Sequence, residues 1–266
     1  MMNKLKKTII ILVITLFTLN ITSICRFGYG RQVYANSIDE KYSVMLGSAA
    51  DKIDSWVQGK EKILDTARTY VTSHNKKQVE AQLAKIIKNN KDISDIYVGY
   101  EDGSFIDGSG WIPLKSYDVR KRPWYIQSKA AKKIYLSDAY MDLTIGGSSF
   151  TAAYPLKDNK GKFKGVISED IKLTDIVNSL KNNETSNEDG ISTFLIDSHG
   201  TVLSHSDKKL IGVNMSLKPD YQKILPEIEN NESGHIPFSS DGNDNELYYK
   251  RIPSTNWIVV FSVTGK

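Results

Sequence analysis

The chain has 266 residues, 35 Lys and Arg against 31 Asp and Glu, and 40% hydrophobic residues, enough to bury one large or two small cores. Five of the positive charges (Lys4, Lys6, Lys7, Arg26 and Arg31) fall in residues 1–35, which hold no acid. Removing those five leaves 30 basic against 31 acidic residues, a net charge of −1, so the remainder offers no case for a nucleic-acid surface. Cys25 is the single cysteine, which excludes an internal disulfide.

Lys4, Lys6 and Lys7 precede an apolar run from Thr8 to Ile24, the order that keeps the lysines in the cytoplasm and sends the rest of the chain outside it. Residues 1–35 are therefore expected to be a signal peptide or an N-terminal membrane anchor. The run, residues 8–24, is short for a span, and Val33-Tyr34-Ala35 ahead of Asn36 suits cleavage near Ala35. Ile24 before Cys25 is a poor fit to a lipid attachment site, which wants a small residue there.

From Asn36 the period is helical. Tyr42, Met45, Ala49, Ile53, Trp56, Lys60, Ile63, Ala67 and Tyr70 recur at alternating three and four spacing. A helix over 37–71 would be roughly 50 Å long and is expected to run as a spine beside two modules, with Lys60 interrupting its stripe. A second helix over 76–89 places Val79, Leu83, Ile86 and Ile87 on one face, with Asn75 as its cap.

The period then changes to two. Residues 93–100 and 104–106 read as a hairpin turning at Glu101-Asp102-Gly103, and 148–156 and 163–171 as a second one. Between them lies a long connection, 117–142, with a short helix near 124–131; long connections in compact domains carry function or cover a site. Residues 173–180 read as a linking helix and 181–189 as a polar spacer. A smaller block comes next: a hairpin over 192–205, a helix over 221–229, and strands over 235–239, 246–251 and 257–263. Both blocks share one α+β plan of antiparallel strands with a helical excursion, a loose internal repeat. The expected division is 36–180 for the long helix and a ligand-binding module, and 190–266 for the second module.

The informative stretch is Tyr117-Asp-Val-Arg-Lys-Arg-Pro-Trp-Tyr125, then Tyr140, Asp142 and Asp170 downstream. Arg122 is permanently charged and its planar fork can take a carboxylate through two hydrogen bonds. Tyr117 adds a hydroxyl donor, and Trp124 a wall with an indole N–H. Asp142 and Asp170 offer anionic acceptors for an ammonium, and Tyr125 and Tyr140 offer oxygens or π faces to the same cation. Opposed charges one Cα apart select a zwitterion and reject simple acids or amines, which leave one charge unpaired. Read singly, Arg122 also fits a solvated basic run with Arg120 and Lys121, and Trp124 and Tyr125 fit core aromatics of a short helix.

Tyr, four residues, Arg, one residue, Trp-Tyr, then Tyr-x-Asp and a later Asp is the order in which the chain resembles the double Cache (dCache) sensor domains of bacterial chemoreceptors and sensor kinases, in their amino-acid-binding branch. The resemblance covers about residues 37–266. It implies a long N-terminal helix beside two tandem PAS-like antiparallel-sheet modules. It further implies a membrane-distal module that binds an amino acid through Tyr117, Arg122, Trp124, Tyr125, Tyr140, Asp142 and Asp170. Members of that family continue into a second membrane helix and a cytoplasmic output part, whereas this sequence stops at Lys266. Either a truncated receptor or a binding subunit reporting to a membrane signalling partner is expected, with a homodimer through the long helix open to both.

Catalysis is poorly supported. His74, His199, His205 and His235 show no metal-ligand spacing, and no serine elbow or phosphate loop is present, so no enzyme, metal or cofactor is expected. Two further readings remain: a sensor for amines, in which Arg122 is idle, and a ligand-free structural or dimerisation module that docks to a partner receptor.

Overall fold

The computed structural model describes the backbone of residues 2–131, 133–142, 147–173, 176, 191–205, 207–240 and 242–264; side chains are described from Ile38 onward, apart from residues 240 and 243. The side chains of the apolar run 8–24 and of Cys25, the linking helix 173–180 beyond Leu173 and Ile176, and the polar spacer 181–189 lie outside the described residues. Among the described residues no helix is long and apolar enough to cross a membrane.

Helix α1 runs Met2–Ser73, well beyond the expected start at residue 37. No proline occurs before Pro113, so nothing in this stretch removes a backbone donor and stops the helix. Residues 1–45 and Leu46–Lys266 are separate compact units. In the second unit the buried stripe of α1 is Leu46, Ala49, Ala50, Ile53, Val57, Lys60, Leu64, Ala67 and Val71. The stripe is thus turned by about one residue from the expected one: Trp56, Ile63 and Tyr70 flank it, and Val57, Leu64 and Val71 occupy its centre. Lys60, expected as an interruption, is buried and paired with Asp92 at 2.6 Å.

Helix α2 (Lys76–Asn89) starts at a full capping box. The Asn75 side chain accepts from Gln78 N at 3.1 Å, and the Gln78 side chain accepts from Asn75 N at 3.3 Å. Strands β1 (Ile93–Tyr100) and β2 (Phe105–Asp107) form the first hairpin, and a 3-10 turn over Val119–Lys121 leads into α3 (Pro123–Ala130). Pro123 at the start of α3 supplies a preset φ where no backbone donor is needed. Two short strands absent from the sequence reading, β3 (Tyr135–Leu136) and β4 (Tyr140–Asp142), pair along β5 (Gly147–Lys157), which turns into β6 (Phe163–Lys172). The antiparallel order is β2-β1-β6-β5-β3, with β4 also on β5.

The second sheet contains β7 (Ile191–Ile196), β8 (Val202–Ser204), β9 (Ser233–Ser240), β10 (Asn243–Arg251) and β11 (Ile258–Thr264), in the order β8-β7-β11-β10-β9. Its face packs on Phe194, Met215, Leu225, Ile228, Phe238 and Tyr249. The single helix expected over 221–229 is instead two, α4 (Pro219–Gln222) and α5 (Leu225–Asn230). Pro226 has no N–H to give to a carbonyl one turn back and its ring collides with that turn, so one continuous helix cannot form.

The long helix and two antiparallel sheets make an α+β architecture of two similar modules, as expected. The sheets meet at the α1 side: Trp56 lies edge-on to Phe150 at 6.0 Å, Phe150 to Trp257 at 4.9 Å, and Asp54 accepts from Ser254 N at 2.9 Å.

Candidate functional site

The first sheet has two unlike faces. Ile96 and Val98 of β1 point toward the helices and are fully buried. The opposite face is polar and aromatic. Asp95 pairs with Asp170, and Asp170 with Thr151, so these three form one row across β1, β6 and β5. The next row is Asp107, Tyr97, Ser168, Ala153 and Tyr135, from β2 to β3. The connection carrying Tyr117, Arg122 and α3 lies over this face and encloses a cavity of about 620 Å3, a size usual for small-molecule sites.

Gly99 makes that covering possible. A Cβ there would collide with Val119 Cγ2 and stand 3.1 Å from Trp124 and 3.2 Å from Tyr125. Gly99→Ala is therefore expected to lift the Val119 turn and α3 off the sheet, at a cost of about 1–3 kcal/mol in urea unfolding. An unchanged unfolding midpoint would show that the turn yields freely.

Of the seven residues expected in the site, Tyr117, Arg122, Trp124, Tyr140 and Asp170 line the cavity. Tyr125 does not. It is 2% exposed and packs edge-on to Trp124 at 5.7 Å and to Phe163 at 5.9 Å, its hydroxyl buried. Consecutive helical residues point about 100° apart, and that rotation carries Tyr125 away from the cavity to pack on Phe163. Asp142 ends β4 beside Gly147 and is outside the cavity wall, yet its charge is felt by Asp170 and Tyr140.

The cavity also collects residues that the sequence reading did not single out: Asp95, Tyr97, Phe105, Asp107, Trp111, Tyr135, Ser137 and Thr151. The Tyr97 hydroxyl donates to Asp170 Oδ1 at 3.0 Å and Thr151 Oγ1 to the same oxygen at 2.7 Å. The Tyr140 hydroxyl lies 3.3 Å from Thr151 Oγ1. Burial pushes the Asp170 carboxyl above the usual carboxylate range and Asp142 adds to this, while the hydrogen bonds from Thr151, Tyr97 and Tyr140 hold it down. Tyr97 itself is driven well above the ordinary phenol value, first by burial and then by the Asp170 charge.

Asp107 is 6% exposed and its Oδ1 accepts from Ser109 N at 2.8 Å, Ser109 Oγ at 2.6 Å and Trp111 N at 3.0 Å. Asp95 accepts from Ile96 N at 2.7 Å, and its Oδ2 lies 3.3 Å from Ser109 Oγ, whose proton is directed to Asp107. Its carboxyl is pushed up to about 7, by burial first and then by the neighbouring Asp107 charge and a hydrogen bond to Asp107.

Arg122 stands apart from this acidic row. It is exposed and caps no backbone group of α3 with its side chain, and its guanidinium carbon lies 5.6 Å from the Tyr117 ring centre. Neighbouring Arg120 is instead held by Asp118, with Nε to Oδ1 at 2.9 Å. Tyr97, Phe105, Trp111, Tyr117 and Trp124 connect through ring contacts of 5.0–5.9 Å, edge-on except for the tilted Tyr97–Phe105 pair, and form an aromatic wall of the cavity. Among the described residues no group of His, Cys, Asp and Glu is arranged to hold a metal ion. The arrangement can take a molecule with an anionic end toward Arg122 and a cationic end toward Asp170.

Comparison with known proteins places the chain in a family. The Cache domain model matches residues 31–265, and the chain belongs to that family. The chain is 23% identical over 236 residues to the methyl-accepting chemotaxis protein McpB of Bacillus subtilis, covering 79% of this chain and 34% of that protein. It spans about a third of the length of the curated relatives it matches. Among solved structures, the ligand-binding domain of the Pseudomonas aeruginosa chemoreceptor PctC in complex with GABA superposes with a TM-score of 0.72 at 20% identity, covering 84% of this chain and 98% of that one. The ligand-binding domain of the Pseudomonas fluorescens chemoreceptor CtaA in complex with L-alanine gives 0.69 at 23% identity, covering 86% and 98%. The long helix with two PAS-like sheets is thus the fold of this family.

Proposed function

We propose that the chain is the extracytoplasmic sensor part of a chemoreceptor and binds an α-amino acid in the cavity on the first sheet. One observation carries the reading: a single cavity holds a guanidinium, Arg122, that stacks on Tyr117 and makes no ion pair among the described residues, and a buried carboxyl, Asp170, set in hydrogen bonds from Tyr97 and Thr151. GABA and L-alanine, bound by the two structural relatives, are both amine–carboxylate zwitterions. Tyr117 and Trp124 flank the carboxylate end, and Tyr140 and Asp142 add to the ammonium end. Tyr125 supports Trp124 from behind. The protein acts as a binding module rather than an enzyme, with residues 1–35 as anchor or cleaved leader. The 36–180 part carries the membrane-distal ligand site and the 190–266 part is membrane-proximal.

Ligand binding draws the Arg122 side toward Asp170 and closes the connection over the sheet. Closure is favoured only if the ligand binds the closed form better than the open one. Because α1 packs on both sheets, the closure shifts α1 against the second module and so reaches a membrane partner or a second copy of the chain.

Calorimetric titration of the purified protein with each of the twenty amino acids tests the reading. Binding of one or several, abolished in Arg122→Ala, is the expected result. Binding of amines without a carboxylate, unchanged in Arg122→Ala, would favour an amine sensor. Absence of binding to folded protein would leave a structural or partner-docking module.

A further inference from the structure

A zwitterion with one ammonium uses only part of the negative charge in this cavity. Asp95, Asp107 and Asp170 all line it, and Asp142 adds its field from β4, against one lining cation among the described residues, Arg122. The cavity, its aromatic wall and Arg122 define a ligand site without the acid pair; the pair decides what else the ligand must carry. Strand register fixes the arrangement. Asp95 is level with Asp170 across β1 and β6, and Asp107 is level with Tyr97 across β1 and β2. The pair therefore lies on the β2 side of the Asp170 acceptor, next to Phe105 and Trp111.

We infer that Asp95 and Asp107 form a subsite for a second positive charge, so that the preferred ligands are amino acids with a cationic side chain, such as L-lysine, L-ornithine or L-arginine. This rests on the amino-acid reading above. The ammonium and carboxylate of the ligand occupy Asp170 and Arg122, the side-chain methylenes run along the Phe105 and Trp111 rings, and the terminal cation meets the acid pair. The pair is rigid at Asp107, whose Oδ1 is fixed by three donors from the 109–111 turn. An acidic side chain would bring a third carboxylate against two and is rejected. A neutral one leaves the pair to retain a proton between them.

The charge of the pair is available on demand. With Asp95 pushed up to about 7 by burial and Asp107, the pair is partly protonated near neutrality in the unliganded protein. A cation placed in front favours the ionised form and expels that proton. The ionisable groups facing Asp95 are Tyr97 on its own strand, Asp107 on β2, Asp170 on β6, Tyr140 on β4, and Tyr117 and Arg122 from the connection. Binding of a basic amino acid is therefore expected to strengthen from pH 6 to pH 8 and to release protons.

The test compares L-lysine with L-norleucine, which has the same carbon chain and no terminal ammonium, by calorimetry on the purified full chain in buffers of different ionisation heat. L-Lysine is expected to bind at least about tenfold tighter, with proton release at pH 7 that L-norleucine lacks. Asp95→Asn should reduce the lysine-over-norleucine ratio about tenfold. Equal or tighter binding of L-norleucine to the wild-type protein would overturn the inference while leaving the amino-acid sensor intact, as would a ratio that survives Asp95→Asn. Binding of no amino acid at all would overturn both.

Discussion

Asp170→Asn is expected to weaken amino-acid binding by on the order of 100-fold or more while leaving the fold as stable as before. Truncating or neutralising one partner of a buried, hydrogen-bonded charge pair costs about 2–5 kcal/mol in complexes, and each 1.4 kcal/mol is roughly tenfold. Stability behaves differently because of what Asp170 does in the free protein. Its carboxyl is held above the usual range by burial, so ionising it without a ligand is disfavoured. Asparagine keeps an oxygen that accepts from Tyr97 and Thr151, and removes the charge that burial penalises. Calorimetry and urea unfolding on the same variant separate the two effects. Binding unchanged within threefold would show that the ammonium of the ligand does not sit at Asp170. Binding lost together with several kcal/mol of stability would show that Asp170 serves the fold instead.

The same two-sided logic explains which parts of this protein were legible in the sequence. Short-range signals were. The start of α2 was marked by its Asn75 cap and β1 by its period-two pattern, and α3 was placed within one residue of its bounds. Arg122, Trp124 and Asp170 were found through a motif, since each belongs to a residue type whose chemistry is unusual at that spacing. Tyr97, Asp95 and Thr151 were not, because their role depends on strand order. Tyr97 and Asp170 are 73 positions apart and become neighbours only because β6 returns to lie between β1 and β5. Alternation along β1 says that Asp95 and Tyr97 share a face and is silent on what that face meets. The turn of the α1 stripe has the same origin. Trp56 and Ile63 are as apolar as Val57 and Leu64, and tertiary packing chooses between them. Lys60 is the residue that local reasoning misjudged most, since its partner Asp92 comes from the entry to β1.

That pair gives the largest expected effect on stability. Lys60 and Asp92 are 10% and 14% exposed at their side chains, and Trp56 Nε1 donates to the same Asp92 Oδ2 at 2.8 Å. Glu169, 0% exposed, lies in the same layer, and neither of its carboxyl oxygens has a hydrogen-bond partner among the described residues. Burial drives its carboxyl well above the ordinary value, and the Lys60 charge is what pulls it back. Asp92, in contrast, is held below its ordinary value by Lys60 and Trp56 against the opposing effect of burial. Lys60→Met removes the cation from two carboxyl groups at once. Breaking a buried pair costs about 3–5 kcal/mol, and a domain of this size loses roughly 2–4 °C in Tm for each 1 kcal/mol. Lys60→Met with Asp92→Asn should regain most of that loss, because the orphaned charge is gone and Trp56 keeps an oxygen to donate to. A single variant that costs less than about 1 kcal/mol would mean that the pair behaves as an exposed one. A double variant no better than the single would place the loss in packing around the Lys60 stem rather than in charge. Glu169 and Asp170 are consecutive in β6 and face opposite sides of the sheet. The face that seats α1 is therefore one residue removed from the face that lines the cavity, and the proposed closure over Asp170 would act on the strand that seats the helix.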